Sequence, residues 1–161
     1  MTRDNNWLQG LLDEIWDTYF PEVPQHNIVR IEFGRRAKNR LGSIKLDAKD
    51  RQVSIITING LFRKASIPES IVRATIVHEL SHYAHGFNSP LAQKFRHPHA
   101  GGVMRSEFEE RGLGALYKEQ RKWLKDNWRQ IVQDEFGTII RRRRINNTNQ
   151  PNVPKPFWFK R

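Results

Sequence analysis

The chain has 161 residues, enough for one compact domain with a core and some tail. It holds no cysteine, which excludes disulfides, cysteine-based zinc ribbons and thiol nucleophiles and suits a reducing compartment. With 28 Lys and Arg against 17 Asp and Glu the net charge is +11, a balance that favours polyanionic partners, and no apolar run approaches the ~20 residues of a membrane span.

The polar start, Met1-Thr2-Arg3-Asp4-Asn5-Asn6, lacks the apolar stretch of a signal peptide, so a soluble protein with no membrane partner is expected in the cytoplasm, nucleoid-associated if bacterial. Residues 5–20 form an amphipathic helix in this reading. Leu8, Leu11, Leu12, Ile15, Trp16 and Tyr19 share one stripe at helical spacing, Asp4 or Asn5 can cap the start, and Pro21 ends it. Three β-branched segments follow, Ile28–Phe33, Leu41–Leu46 and Gln52–Ile58. Residues 34–40 connect the first pair, and Asp47-Ala48-Lys49-Asp50 suits a hairpin turn.

A further helix is predicted from about Pro68 to His85, with Ser66 or Ile67 near its cap and Gly86 at its stop. Residues 86–100 read as a loop. Helices over about 101–112 and 114–133 come next, broken by Gly112 and Gly114. Beyond Asp134 the pattern fades into the charge run Arg141–Arg144 and an Asn/Pro-rich stretch, 146–156.

The helix beginning near Pro68 carries the chemistry. It contains His78-Glu79-Leu80-Ser81-His82, an H-E-x-x-H arrangement whose two histidines project from one face a turn apart and can share a zinc ion. Glu79, one residue on from His78, can reach a water beside that ion and act as general base. Val72, Ile76, Val77, Leu80 and Ala84 make most of the helix circumference apolar, so it is expected to be buried, and buried imidazoles and carboxylates need partners.

A catalytic zinc needs a third protein ligand and an open position. The metzincin spacing fails, because the positions it requires hold His85 and Asn88. His85 lies about 10 Å along the helix from His78, too far to share its ion, and reads as a polar residue near a helix end. The candidates are His97 and His99, with Glu107, Glu109 and Glu110 on the next helix.

With these residues in view, the chain resembles the SprT-like (Spartan-type) zinc metalloproteases over about residues 40–114. The likeness rests on Arg40-Leu41-Gly42-Ser43, on His78-Glu79-Leu80-Ser81-His82, and on a downstream histidine before a glycine-containing helix start. The chain departs from the family pattern in that His99 is followed by Ala100 and the aromatic expected beyond is missing; His97 stays as the alternative. The resemblance implies an α+β domain over 1–138, minimal and zincin-like: a three-stranded antiparallel sheet packed with an N-terminal helix, the motif helix and C-terminal helices. Residues 139–161 would form a basic, Pro/Asn-rich tail with an aromatic cluster. The resemblance further implies one Zn²⁺ held by His78, His82 and His99, peptide hydrolysis with Glu79 as the base, and a strand near 52–59 that borders the cleft and pairs with an extended protein substrate. For the oxyanion, His85, His97, Arg105 and Tyr117 are candidates.

Three basic groups could hold nucleic acid. Arg35, Arg36, Lys38 and Arg40 crowd one connection. Lys118, Lys122, Lys125 and Arg129 form one helical stripe opposite Leu116, Trp123, Leu124, Ile131 and Val132. Arg141, Arg142, Arg143 and Arg144 lead, with Lys155, Lys160 and Arg161, into a tail bearing Phe157-Trp158-Phe159, where rings among cations suit single strands. The bland reading of the stripe is a solvated helix face, and of the tail rings a cover for an apolar groove. The resemblance, to a family associated with digesting proteins crosslinked to DNA, implies as the leading expectation a zinc endopeptidase acting on DNA-bound or DNA-crosslinked proteins, with single-stranded DNA preferred. The alternatives are a regulatory peptidase independent of DNA and a DNA-binding module with structural zinc.

Overall fold

A computed structural model of the chain describes residues 3–137. The first helix, α1, spans Asn5–Tyr19, and its N-cap is Asp4, whose carboxylate accepts from the Trp7 backbone N–H at 2.8 Å. Leu8, Leu11, Leu12 and Ile15 are buried and Trp16 and Tyr19 partly so, as the stripe requires.

The strands are β1 (Ile28–Phe33), β2 (Gly42–Leu46) and β3 (Val53–Ile58). The turn between β2 and β3 closes through side chains: Asp47 accepts from Lys49 N–H and Asp50 from Gln52 N–H. The spatial order is β1-β3-β2, with β3 antiparallel to β2 but parallel to β1. The antiparallel expectation is thus corrected: the sheet is mixed. The tight turn joins β2 to β3 as a hairpin, and β1 then reaches the other edge of β3 in parallel because the 34–41 connection crosses the sheet end rather than turning back.

Burial alternates along β1, where Val29, Ile31 and Phe33 are covered and Ile28, Arg30 and Glu32 exposed, so the sheet has one helix-covered face. A 3-10 turn at Gly60–Arg63 leads to α2, Glu69–Ala84. Its N-cap is Pro68, one or two residues later than predicted, and nearly every residue from Ile71 onward is buried. Helix α1 packs on β1, and α2 on β2 and β3. A short 3-10 turn, Ala100–Gly102, precedes α3 (Val103–Glu110); Gly112 then breaks the chain at positive φ before α4 (Gly114–Phe136).

Helix α4 buries Gln120, Leu124 and Trp128 against α2 and the 3-10 turn; Leu116, Trp123, Ile131 and Val132 are partly covered. Among the described residues no helix is long and apolar enough to cross a membrane. The proposed boundary at 138/139 and the tail cations Arg141, Arg142, Arg143 and Arg144, with Trp158, lie outside the described residues.

Candidate metal centre

The two motif histidines occupy the middle of α2, and His99 returns to them from the following segment. That return is built from several anchors. Helix α2 ends at His85, and Gly86 follows with φ +80°; a Cβ there would lie 2.5 Å from the Ala92 carbonyl oxygen. Only glycine lets the chain fold back across the helix end so closely. The Ser54 hydroxyl on β3 donates to the Asn88 carbonyl at 2.8 Å, Ser89 Oγ donates to Tyr83 O at 2.8 Å, and Lys94 N–H donates to His85 O at 3.0 Å.

The loop thus held places His99 Nε2 at 3.2 Å from His78 Nε2 and 3.0 Å from His82 Nε2, with 3.1 Å between the latter two. His97 is exposed and stands outside this cluster. Burial lowers the pKa of all three histidines: His78 falls well below its ordinary range, His82 to about 3, and His99 in the same direction, with mutual repulsion adding to the effect at His78 and His82. They are neutral at neutral pH.

Neutral imidazoles cannot satisfy one another in this arrangement. Each Nε2 is either a donor or an acceptor, so among three mutually close nitrogens at least one pair is alike. A cation accepting three lone pairs removes the conflict. The spacing also fits zinc: tetrahedral Zn–N bonds of about 2.0–2.1 Å set neighbouring nitrogens about 3.3 Å apart. His78, His82 and His99 therefore can bind a metal ion, and they are the one such cluster among the described residues.

Glu79 is 2% exposed, and its Oε1 is buried without a hydrogen-bond partner. Burial pushes the carboxyl up to about 8, while the charge of Arg40 pulls it down. Its space comes from β2. In the cross-strand row Phe33–Ile58–Gly42, the two larger side chains fill the covered face and glycine leaves a gap. A Cβ on Gly42 would lie 2.8 Å from Glu79 Oε1 and 2.9 Å from Thr75 Cγ2. Thr75 is itself fixed: its hydroxyl donates to Ile71 O at 2.8 Å and accepts from Gln120 Nε2 of α4 at 3.0 Å. Gln120 went unnoticed in the sequence, although it shares a helical face with Leu116, Leu124 and Trp128.

His85 is more than a polar helix end. It is 1% exposed, and its Nε2 lies 2.8 Å from Glu107 Oε2 on α3. Burial would raise the Glu107 pKa, but hydrogen bonds from His85 and Arg111 outweigh it and hold the group at about 2. Arg111 also pairs with Glu22 and covers the Phe20 ring at 3.6 Å. This chain of contacts ties α3, and with it the His99 approach, to α2 and to the segment that follows α1. Glu107 is thereby committed elsewhere and Glu109 pairs with Arg105; neither it nor the exposed Glu110 joins the histidine cluster.

The oxyanion candidates fare no better. His85 faces Glu107, Arg105 is exposed beside Glu109, His97 is exposed, and Tyr117 packs on Phe108 with its hydroxyl accepting from Arg121. The expected peptide-pairing strand needs correction as well. β3 is central and hydrogen-bonded on both edges, so it cannot accept a further strand. The free edge on the motif-helix side belongs to β2.

Arg36 pairs with Glu135, Lys38 lies over the Phe136 ring and Arg40 is exposed near Glu79. Lys118, Lys122, Lys125 and Arg129 form an exposed stripe on α4, with Lys122 paired to Asp126. Comparisons of the chain with protein-family models, with curated proteins and with solved structures find no match, so the geometry above carries the functional argument.

Proposed function

We propose that the chain is a zinc-dependent endopeptidase of the SprT-like, minimal zincin type. The observation that carries this reading is the pairing of a three-histidine cluster with a buried, unpartnered carboxylate oxygen on the same helix. His78, His82 and His99 would hold the ion. Zinc, when bound, polarises a peptide carbonyl and makes water a nucleophile near neutral pH.

Glu79 takes the proton of the attacking water and delivers it to the leaving amine. For the first step it must be ionised, and a divalent cation among the neighbouring histidines opposes the effect of burial on its carboxyl. Gly42 leaves the carboxylate the space that a side chain on β2 would fill. The β2 edge supports a peptide substrate. Leu41 O accepts from Asn59 N–H and Asp47 N–H donates to Val53 O, so by alternation Gly42, Ile44 and Leu46 turn their backbone groups away from β3. An extended peptide added there runs past Gly42 and hence past Glu79.

A structural-zinc module is the second reading, and Glu79 opposes it, since a closed site has no use for a buried base. The test is cleavage of an unfolded protein and of histone by the zinc-loaded chain, with and without DNA, beside Glu79→Gln. The variant should bind one zinc as the parent does and cleave about 10²–10⁴-fold more slowly. Equal activity of the variant, or an absence of zinc binding by the parent, would overturn the proposal; cleavage indifferent to DNA would favour a regulatory peptidase.

A further inference from the structure

The sheet has two free edges, and they differ in charge. On β1, Ile28 N–H donates to Gln52 O at 3.1 Å and Gly34 N–H to Ile58 O at 2.8 Å. Even-numbered residues therefore bond to β3, while Val29 and Ile31 turn their backbone groups outward. Asn5 Oδ1 takes the Phe33 N–H at 3.0 Å, which leaves Val29 and Ile31 as the open stretch. Beside it lies a groove of about 620 Å³ between α1 and the chain around β1. Leu12, Trp16, Val23 and Val29 supply its apolar walls, and Asp13 and Asp17 stand exposed on its rim. The Trp16 wall is held by its indole N–H, which donates to Val23 O at 3.1 Å. Ile28, next along the strand, is 56% exposed.

Acid is concentrated here in a chain of net charge +11. Residues 4–29 hold Asp4, Asp13, Glu14, Asp17 and Glu22 and no Lys or Arg. Asp4 caps α1, Glu14 binds Arg73 and Glu22 binds Arg111, whereas Asp13 accepts only from Gln9 Nε2 at 2.8 Å. Asp17 has no partner among the described residues. On the open face of β1, Arg30 and Glu32 offset each other. The β2 edge instead presents the exposed cations Arg40 and Lys45.

We propose that this groove and the Val29–Ile31 edge take the chain's own segment Lys155–Arg161, which lies outside the described residues. In it Phe157-Trp158-Phe159 stands between Lys155 and Lys160-Arg161, so one short stretch supplies rings for the apolar walls and cations for Asp13 and Asp17. Phe157 to Arg161 contains no proline, so its backbone can pair with an open strand. Like charge turns the same segment away from the β2 edge. The reach is sufficient. Helix α4 ends where Glu135 meets Lys64, and Arg3, beside the head of α1, bonds the Lys64 carbonyl. The groove lies within the length of α1, about 22 Å by helical rise. The stretch 138–156 spans up to about 60 Å when extended. Tethering supplies an effective concentration in the mM range, enough for a contact too weak to form between separate molecules. A free strand edge invites pairing with other chains, and a segment seated on it removes that hazard. The assignment does not depend on the peptidase reading.

The test uses the full chain, whose lack of cysteine lets an introduced pair report proximity. Gln25 lines the groove and Ser43 lies on β2. In dilute oxidising buffer, Gln25→Cys with Lys160→Cys should close an internal disulfide about tenfold or more faster than Ser43→Cys with Lys160→Cys. Adding Asp13→Asn and Asp17→Asn should slow the first closure by about 2–10-fold. Hydrogen exchange of the cysteine-free chain gives a second readout. The Val29 and Ile31 amides should exchange about tenfold or more faster once Phe157→Ser, Trp158→Ser and Phe159→Ser are combined. The Ile56 amide of the central strand should not change, which controls for folding. Equal closure of the two pairs, or no change at Val29 and Ile31, would overturn the proposal. Disulfides formed mainly between chains would overturn it too, and would assign the groove to a second copy.

Discussion

Gly42→Ala adds one methyl group at the point where the sheet meets the buried Glu79 carboxylate. That methyl would sit 2.8 Å from Glu79 Oε1, 2.9 Å from Thr75 Cγ2 and 3.1 Å from Glu79 Cγ, so something must move. Thr75 is tied to Ile71 and Gln120, whereas the Glu79 carboxylate is the free end of a side chain. Glu79 should therefore yield first. Overpacking costs about 1–3 kcal/mol. Since Gly42 lies in a strand without positive φ, alanine returns about 0.4–1 kcal/mol through the unfolded chain. The net loss of about 1–2 kcal/mol lowers the urea midpoint by about 0.5–1 M for a slope of about 2 kcal/mol/M, leaving the domain folded. A base displaced by about 1 Å should cost about 100-fold in rate, while zinc affinity stays within a few-fold because no ligand moves. Urea unfolding, zinc titration and cleavage rates read the three effects separately. An unchanged midpoint with an unchanged rate would refute the close-approach reasoning, and a collapse of zinc affinity would show that the helix moved instead.

His99→Ala should weaken zinc by more than the 10–100-fold that loss of an outer partner costs, whereas His97→Ala should leave it unchanged; competition with a chromophoric chelator measures both. Glu107 supplies a pH signature. Its carboxyl is held at about 2 against an ordinary 4.5, so as a depressed acid it stabilises the fold fully above about 4.5, and that contribution fades as pH falls towards 2. Glu107→Gln should be less stable near neutrality and show a shallower loss of urea midpoint between pH 6 and 3; parallel profiles would refute the assignment.

The elements that local pattern governs were legible in the sequence. The Leu8–Leu11–Leu12–Ile15 stripe defined α1, the Asp47–Asp50 turn defined the hairpin, and H-E-x-x-H placed three side chains on one helix. Strand order was not legible, because the β-branched run Gln52–Ile58 marks a strand but not which strands flank it. Arg40-Leu41-Gly42-Ser43 was noticed as a motif, yet the need for glycine follows only from the approach of Glu79. An Asn-Gly pair after a strand signals a turn, but nothing local says that Asn59 would tie down Ala37 and Arg40. His85 looked ordinary because its partner, Glu107, arrives from 22 residues away.

The parallel pairing of β1 with β3 constrains the order in which a growing chain can organise itself. The β2–β3 hairpin closes across a short turn, while Ile28 must wait for Val53 before β1 gains a partner. During synthesis at about 5–20 residues per second, the first strand therefore emerges with its apolar positions unmatched for a few seconds. His99 comes later still, after α2 has formed and Gly86 has reversed the chain. A nascent chain can thus offer two histidines from one helix well before it can close the triad, so a metal ion that needs all three would be held only by a chain whose assembly is nearly complete.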